Sequence, residues 1–302
     1  MRRLLQALLV LVLVSLLLFV MLRIVPGNPV AVLMGEHANQ ATIDRLTAEL
    51  GLDQPIHIQF FRYLSGAVRG DFGTSYSLGK PVSQLIGAAF LNTLLLSLAA
   101  ALFAWLTGGL CGILAAIRKN SIPDRLFMGF SLLGISMPVF MVAMILQYVF
   151  AYWLHWLPIS GSDGWQSYIL PAVALGWNSA GSIARLVRST LMESLEDDYI
   201  DTARAKGLSR TGVLFRHALR NTLLPTVTMM ALQLSGLLSG AVITETVFSI
   251  NGIGRLAVQA ISARDIPLLQ GTVLFSTALV ILGNLIADSL YKVLDPRTRR
   301  GA

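Results

Sequence analysis

The residues able to do chemistry are few and dispersed. The four histidines, His37, His57, His155 and His217, lie in separate stretches, and the one cysteine is Cys111. A single thiol rules out an internal disulfide and any cysteine-built metal site. No His-Glu-x-x-His pair or acid–histidine cluster points to a hydrolase. A G-x-x-x-x-G-K-[ST] phosphate loop is also missing, because the one Gly-Lys pair, Gly79-Lys80, is followed by Pro81. Met137, Met141 and Met144 recur at i, i+4 and i+7. On one helical face they suit packing against a neighbour or lipid better than a soft-metal track. The residues thus offer no catalytic set, no metal site and no cofactor site in this chain.

The elements around them explain why. Of 302 residues, 55% are hydrophobic and 13% charged, where soluble domains carry about 25%. Most of the surface is meant to face lipid. A helix needs about 20 apolar residues to cross the hydrocarbon core with every backbone group satisfied internally. Six stretches qualify, at 4–25, 91–117, 127–154, 169–187, 225–248 and 268–293. Arg2 and Arg3 ahead of the first could suggest a secretory signal, but its apolar run is longer than usual and no small-x-small site precedes Pro26. It reads as a retained span. With both termini cytoplasmic, sixteen of the 23 lysines and arginines fall on the inside, as the positive-inside bias requires.

Polar groups within the spans need a reason, since a mid-membrane charge costs about 2.5–3.5 kcal/mol on insertion scales. Asp288 in the sixth has Lys292 one turn on, which predicts a local pair. Glu245, near the outer end of the fifth, has no partner in its own helix; pairing with Arg255, an interface with another subunit, or a place at an outer gate all remain open. Asn178 and the small residues 179–182 suit close helix packing or a polar pathway. Pro138 predicts a kink in the third span.

Two hydrophilic segments are too long to be connectors. The outer one, 26–90, carries two amphipathic stretches. Ile43, Leu46 and Leu50 share a face ahead of Gly51 as a C-cap, and Pro55 opens a helix striped by Ile56, Phe60, Leu64 and Val68. A small outer helical subdomain packed on the spans follows. In the inner segment, 188–224, a helix is expected over 197–207, with Asp197 and Asp198 at its start and Gly207 at its end. Ser209 then caps a second helix through Val213, Leu214 and His217. Thr202, Ala203, Ala205 and Gly207 are small, with Arg204 and Lys206 between them. The first helix therefore has little bulk to bury on its own bundle, and its backbone can approach another protein closely. A basic loop serving only topology and lipid phosphates is the plainer alternative.

Asp201-Thr202-Ala203, three residues, then Gly207 resembles the EAA-x3-G loop of ABC-importer permeases. Where that loop usually continues with I-x-L-P, nine residues after the glycine, this chain has His217-Ala218-Leu219-Arg220, and its proline comes later, as Pro225. That variant is similar to the dipeptide/oligopeptide/nickel branch of binding-protein-dependent permeases. Leu50–Pro55, Gly70-Asp71-Phe72-Gly73-Thr74-Ser75, Gly252-Ile253-Gly254-Arg255, Arg264-Asp265-Ile266-Pro267 and Asp295-Pro296-Arg297 agree with it in order along the chain.

The resemblance implies an all-α membrane protein, a type I ABC-importer-like permease of six transmembrane helices in a bacterial or archaeal cytoplasmic membrane. Residues 1–25 would be the first span, 26–90 the outer insertion, and 91–302 a five-helix core carrying the coupling loop 188–224. Within that loop Asp201, Thr202, Ala203, Arg204, Ala205, Lys206, Gly207 and Leu208 would meet an ATPase. Glu245 and Asn178 would be the pathway or outer-gate candidates, with Glu245 meeting a peptide's ammonium. The implied partners are a sister permease, two ATP-binding subunits holding ATP and magnesium, and an extracytoplasmic solute-binding protein, with no nucleic acid. Di- and oligopeptides are the expected cargo; nickel chelates, glutathione-like tripeptides and opine-like solutes are alternatives. An autonomous ion-driven transporter is a distant one, since embedded acids are few and no repeat is evident.

Overall fold

A computed structural model describes residues 2–24, 39–49 and 51–294. His37 and the Asp295–Arg297 motif lie outside the described residues, as do the side chains of Arg2, Arg3, Leu46, Asp288 and Lys292, and with them the expected Asp288–Lys292 pair. All regular elements among the described residues are helical, the one bridge of β type joining Thr74 to Pro81.

The helices in chain order are α1 (Arg2–Ile24), α2 (Gln40–Glu49), α3 (Ile56–Val68), α4 (Val82–Ile117), α5 (Ile122–Ser136), α6 (Val139–Leu146) and α7 (Ile169–Glu196). They continue as α8 (Asp198–Ala205), α9 (Arg210–Val213), α10 (Leu219–Gly240), α11 (Val242–Val247), α12 (Ile253–Ser262) and α13 (Ile266–Leu294). Among the described residues, three stretches are long and apolar enough to cross a membrane alone, Leu5–Ile24, Val82–Ile117 and Ile266–Ala287. α7 is as long but too polar for that. Thirteen residues of α7 are buried inside the protein, many of them small, so its polar groups need not meet lipid.

The expected third span, 127–154, is not one straight helix. It is a pair bent by 111°. Pro138 supplies no N–H and its ring disfavours helical geometry at Met137, which is extended at φ −82° and ψ 129°. The effect is larger than the kink expected at Pro138. It also places Met137 in the break, so the three methionines do not share one helix; Met141 and Met144 are exposed on α6.

The chain divides into two compact units, one of residues 1–93 with 251–281, the other of 94–250 with 282–302. In the first, Val82, Ile86, Ile253, Leu256, Ala260 and Leu268 form the core. There α3 packs on α1 through Phe60, whose ring stands edge-on to Phe19 at 5.3 Å. Ile56 and Val68, expected in the same apolar stripe, are exposed. Gly51 ends α2 with φ +66°, its N–H bonded to the Ala48 carbonyl and that of Leu52 to Thr47, the paired closure of a left-handed helix cap.

The second unit is built on α7, which packs against α4, α5, α6 and α10. Its contact with α4 is backbone to backbone. A Cβ added to Gly108 would stand 2.5 Å from the Ala180 carbonyl oxygen, one on Gly112 2.6 Å from that of Ala184, and one on Gly176 2.5 Å from that of Ala100. Gly181 meets the Ser131 carbonyl of α5 as closely, at 2.6 Å. Small residues here let helices approach, as in membrane bundles generally.

Candidate functional site

The segment after α7 is shaped by its own hydrogen bonds. Asp197 is extended at φ −74° and ψ 146°, which breaks α7 from α8. Asp198 and Asp201 then sit in the first turn of α8, where the helix dipole favours them. At the other end Gly207 adopts φ +80°. Its N–H bonds the Arg204 carbonyl at 3.0 Å, and the Leu208 N–H bonds the Ala203 carbonyl at 3.4 Å. This pair of reversed bonds is the Schellman closure, and it needs a residue that tolerates the left-handed region. Ser209 caps α9 by accepting from the Gly212 N–H at 3.2 Å. A π-helical turn, Leu214–Ala218, carries the chain straight into α10, with Pro225 inside that helix. The expected fifth span is thus the continuation of the inner basic helix.

Burial corrects one expectation. α8 does bury bulk on its own bundle: Ile200 and Ala203 form a core with Leu191, Val213, Ala218 and Ala116. Ala203 therefore cannot belong to a close-approach surface. Asp201, Thr202, Arg204, Ala205, Lys206, Gly207 and Leu208 are all exposed. Among the described residues, none beyond its chain neighbours has an atom within 4 Å of where a Gly207 Cβ would be, so the glycine serves backbone conformation rather than space. Phe215, 68% exposed on the π turn, is an aromatic presented outward that the sequence reading passed over. Its signal was an apolar ring between the exposed Arg216 and the half-buried Leu214.

Tyr199 ties the segment down, and its role was also missed. Its hydroxyl bonds Ser194 Oγ on α7 and receives the Asn221 Nδ2–H of α10 at 2.9 Å. Ser194 Oγ in turn donates to the Ala218 carbonyl at 3.3 Å. Nearby in the same unit, Lys119 Nζ meets Glu196 at 2.6 Å on the surface. Arg188 makes a forked pair with the buried Asp124, Nε to Oδ1 at 2.6 Å and Nη2 to Oδ2 at 2.8 Å. The Arg188 hydrogen bond holds the Asp124 carboxyl below its usual range, aided by the Asn120 N–H. Arg188, counted in sequence only as a topology-setting charge, fastens α7 to the start of α5.

The two pathway candidates stand in opposite environments. Asn178 is exposed and donates from Nδ2 to the Ile135 carbonyl at 3.3 Å, next to the α5–α6 break. Glu245 is fully buried in α11, close enough to Tyr168 to influence it electrostatically. Among the described residues no cluster of histidine, cysteine, aspartate and glutamate could hold a metal ion.

This architecture has known counterparts. Residues 108–300 match the family described as binding-protein-dependent transport system inner membrane component, and residues 1–99 match the N-terminal part of such membrane components. The chain belongs to that family. It is a permease subunit of an ABC importer, a transport component of the inner membrane and not an enzyme. The glutathione transport system permease protein GsiC of Salmonella paratyphi A is 43% identical over 298 residues, 99% of this chain and 97% of the relative. GsiC of Escherichia coli K12 is 42% identical over the same shares. Among solved structures, a chain of the inward-facing methionine ABC transporter MetNI superposes with a TM-score of 0.59 at 18% identity, covering 70% of this permease and 97% of that chain. An amino acid ABC transporter gives 0.54 at 14% identity, covering 70% and 94%. These two show the shared fold.

Proposed function

We propose that this permease, with a sister permease, passes short peptides of the glutathione class handed over by an extracytoplasmic binding protein. The full-length likeness to glutathione permeases favours a small tripeptide over longer peptides, nickel chelates or opine-like solutes. Both termini and the 188–224 segment face the cytoplasm in this reading, and two ATP-binding subunits carry ATP and magnesium there. Asp201–Leu208, less the buried Ala203, dock on one of those subunits. Asn178, exposed beside the helix break, lines the pathway, and Glu245 is a buried anchor of α11.

One observation carries the docking assignment. The turn from Arg204 to Leu208 is shaped by the Gly207 closure, the Ile200–Ala203 core and the Tyr199 bonds, yet each of its residues is exposed. Gly207→Asp tests it. Aspartate tolerates the left-handed region better than most residues, and its Cβ would have open space among the described residues, so the assembled importer should persist while ATP hydrolysis uncouples from uptake. Normal uptake by that variant would end the assignment. For the cargo, proteoliposomes of the whole importer should accumulate labelled glutathione, and excess unlabelled dipeptide should compete weakly; failure to accumulate glutathione while a dipeptide enters would reassign the substrate.

A further inference from the structure

Two cavities in the first unit are arranged head to tail. One, of about 670 Å³, is lined by Arg23, Arg62, Tyr63, Tyr76, Pro267 and Gln270, among others. The second, of about 240 Å³, is lined by apolar side chains such as Leu8, Val12, Leu64, Phe275 and Ala278. Phe72 borders both.

The order of the lining residues along the helices fixes a direction. On α1 the polar cavity takes Phe19 and Arg23 and the apolar groove takes Leu8, Leu11 and Val12. α13 runs the other way: Ile266, Pro267 and Gln270 line the polar cavity, and Leu274, Phe275 and Ala278 the groove. From Arg23 back to Val12, and from Pro267 on to Ala278, each helix descends about 17 Å at 1.5 Å per residue. Both helices lie within stretches able to cross a membrane. The paired cavities therefore run from a helix-end level of arginine and tyrosine, typical of the membrane–water interface, down into the hydrocarbon.

Charge selects the occupant. Arg23 lies over the Phe19 ring with Cζ 4.9 Å from its centre, and its Nε is shielded from solvent without a hydrogen-bond partner among the described residues. Arg62 rests on the Gly51 turn, its Nη1 2.4 Å from where a Cβ would be. Gln59 Oε1 and Gln270 Nε2 are likewise enclosed and have no partner among the described residues. The one acid in the lining, Asp71, has an oxygen taken by the Gly73 N–H at 2.9 Å. The lining thus holds two guanidiniums and one carboxylate that is already engaged, next to an apolar groove. We propose that this site binds an anionic phospholipid, its phosphate on Arg23 and Arg62 and one acyl chain between α1, α3 and α13.

Lipid retention decides it. The assembled importer, purified in mild detergent, is equilibrated with equal amounts of phosphatidylglycerol and phosphatidylcholine and examined by native mass spectrometry. The wild type should keep phosphatidylglycerol in preference. The double variant Arg23→Gln/Arg62→Gln should lower its retention about tenfold, and Ala278→Trp should do the same by filling the groove with both arginines in place. Equal retention of the two lipids by the wild type would overturn the proposal, and that measurement stands even if a variant does not assemble. So would unchanged retention in both variants, or displacement of the lipid by millimolar inorganic phosphate, which would mark a site for the free anion.

Discussion

Ser75 donates its hydroxyl to Asp265 Oδ2 at 2.6 Å, across 190 residues of chain. The Ser77 N–H and Oγ–H reach the same oxygen at 2.9 and 2.7 Å, and the Leu268 N–H reaches Oδ1 at 3.2 Å. Two stretches that the sequence offers only as separate motifs, Gly70–Ser75 and Arg264–Pro267, are therefore one clasp that closes the first unit over its core. A second long-range tie lies in the same unit, where Thr93 Oγ1 accepts the Ile253 N–H at 2.9 Å.

The clasp makes stability depend on pH. Burial pushes the Asp265 carboxyl up, but the bonds from Ser75, Ser77 and Leu268 outweigh it and hold it below its ordinary value of 3.8. A depressed folded-state value means the charged form is the one stabilised. That contribution is complete above about pH 4 and disappears as the pH falls through the folded-state value. Asp265→Asn should lower the melting temperature of the purified importer at pH 7. The gap between variant and wild type should narrow as the pH drops below about 4. A gap that does not change with pH would mean the charge is immaterial.

Arg188 and Asp124 give a second test, at the other unit. Asp124 keeps only 4% of its side chain exposed and Arg188 26%. Removing the arginine leaves a carboxylate enclosed without its partner, a change that costs about 3 kcal/mol or more for buried pairs. Arg188→Ala should cut the yield of folded protein and lower its melting temperature. Arg188→Lys keeps the charge but not the fork, so it should fall between the two. A thermal scan of the three proteins in the same detergent separates these outcomes.

Sequence made the helical membrane architecture legible because lipid imposes it: the apolar stretches, the basic bias and the Gly51 and Gly207 caps all follow from local rules. What it could not give was anything depending on distant partners. Pro138 announced a distortion, but the 111° turn depends on what α5 and α6 pack against. Ala203 and Ala205 look alike in sequence, and only the fold tells that one faces Leu191 while the other faces outward. Arg188 resembled its topology-setting neighbours until Asp124 came from 64 residues away.

The α4–α7 contact supplies a third prediction from two glycines three residues apart with opposite surroundings. A methyl on Gly112 would stand 2.6 Å from the Ala184 carbonyl and 2.7 Å from Val187 Cβ, whereas one on Gly109 meets nothing within 4 Å. Gly112→Ala must push two helices apart and should destabilise by about 1–3 kcal/mol. Gly109→Ala should be neutral or stabilising by up to about 1 kcal/mol, from helix propensity alone. Equal melting temperatures for the two variants would contradict the close approach.

The same contrast separates folding from docking in the 188–224 segment. Ala203 is 5% exposed within a core that includes Ile200, Leu191 and Val213, so Ala203→Leu overfills it and should cost about 1–3 kcal/mol. Ala205 is exposed beside the Gly207 closure. Ala205→Leu should leave the permease's own stability within about 0.5 kcal/mol of wild type, as surface changes do. If this face receives an ATP-binding subunit, however, the added bulk must hold the two backbones apart. The expected result is a stable permease that retains less ATPase on purification and hydrolyses ATP without matching uptake. Full ATPase retention and normal uptake by Ala205→Leu, with Ala203→Leu destabilised as expected, would leave the folded segment intact and move the docking surface elsewhere on it, with Phe215 the next residue to vary.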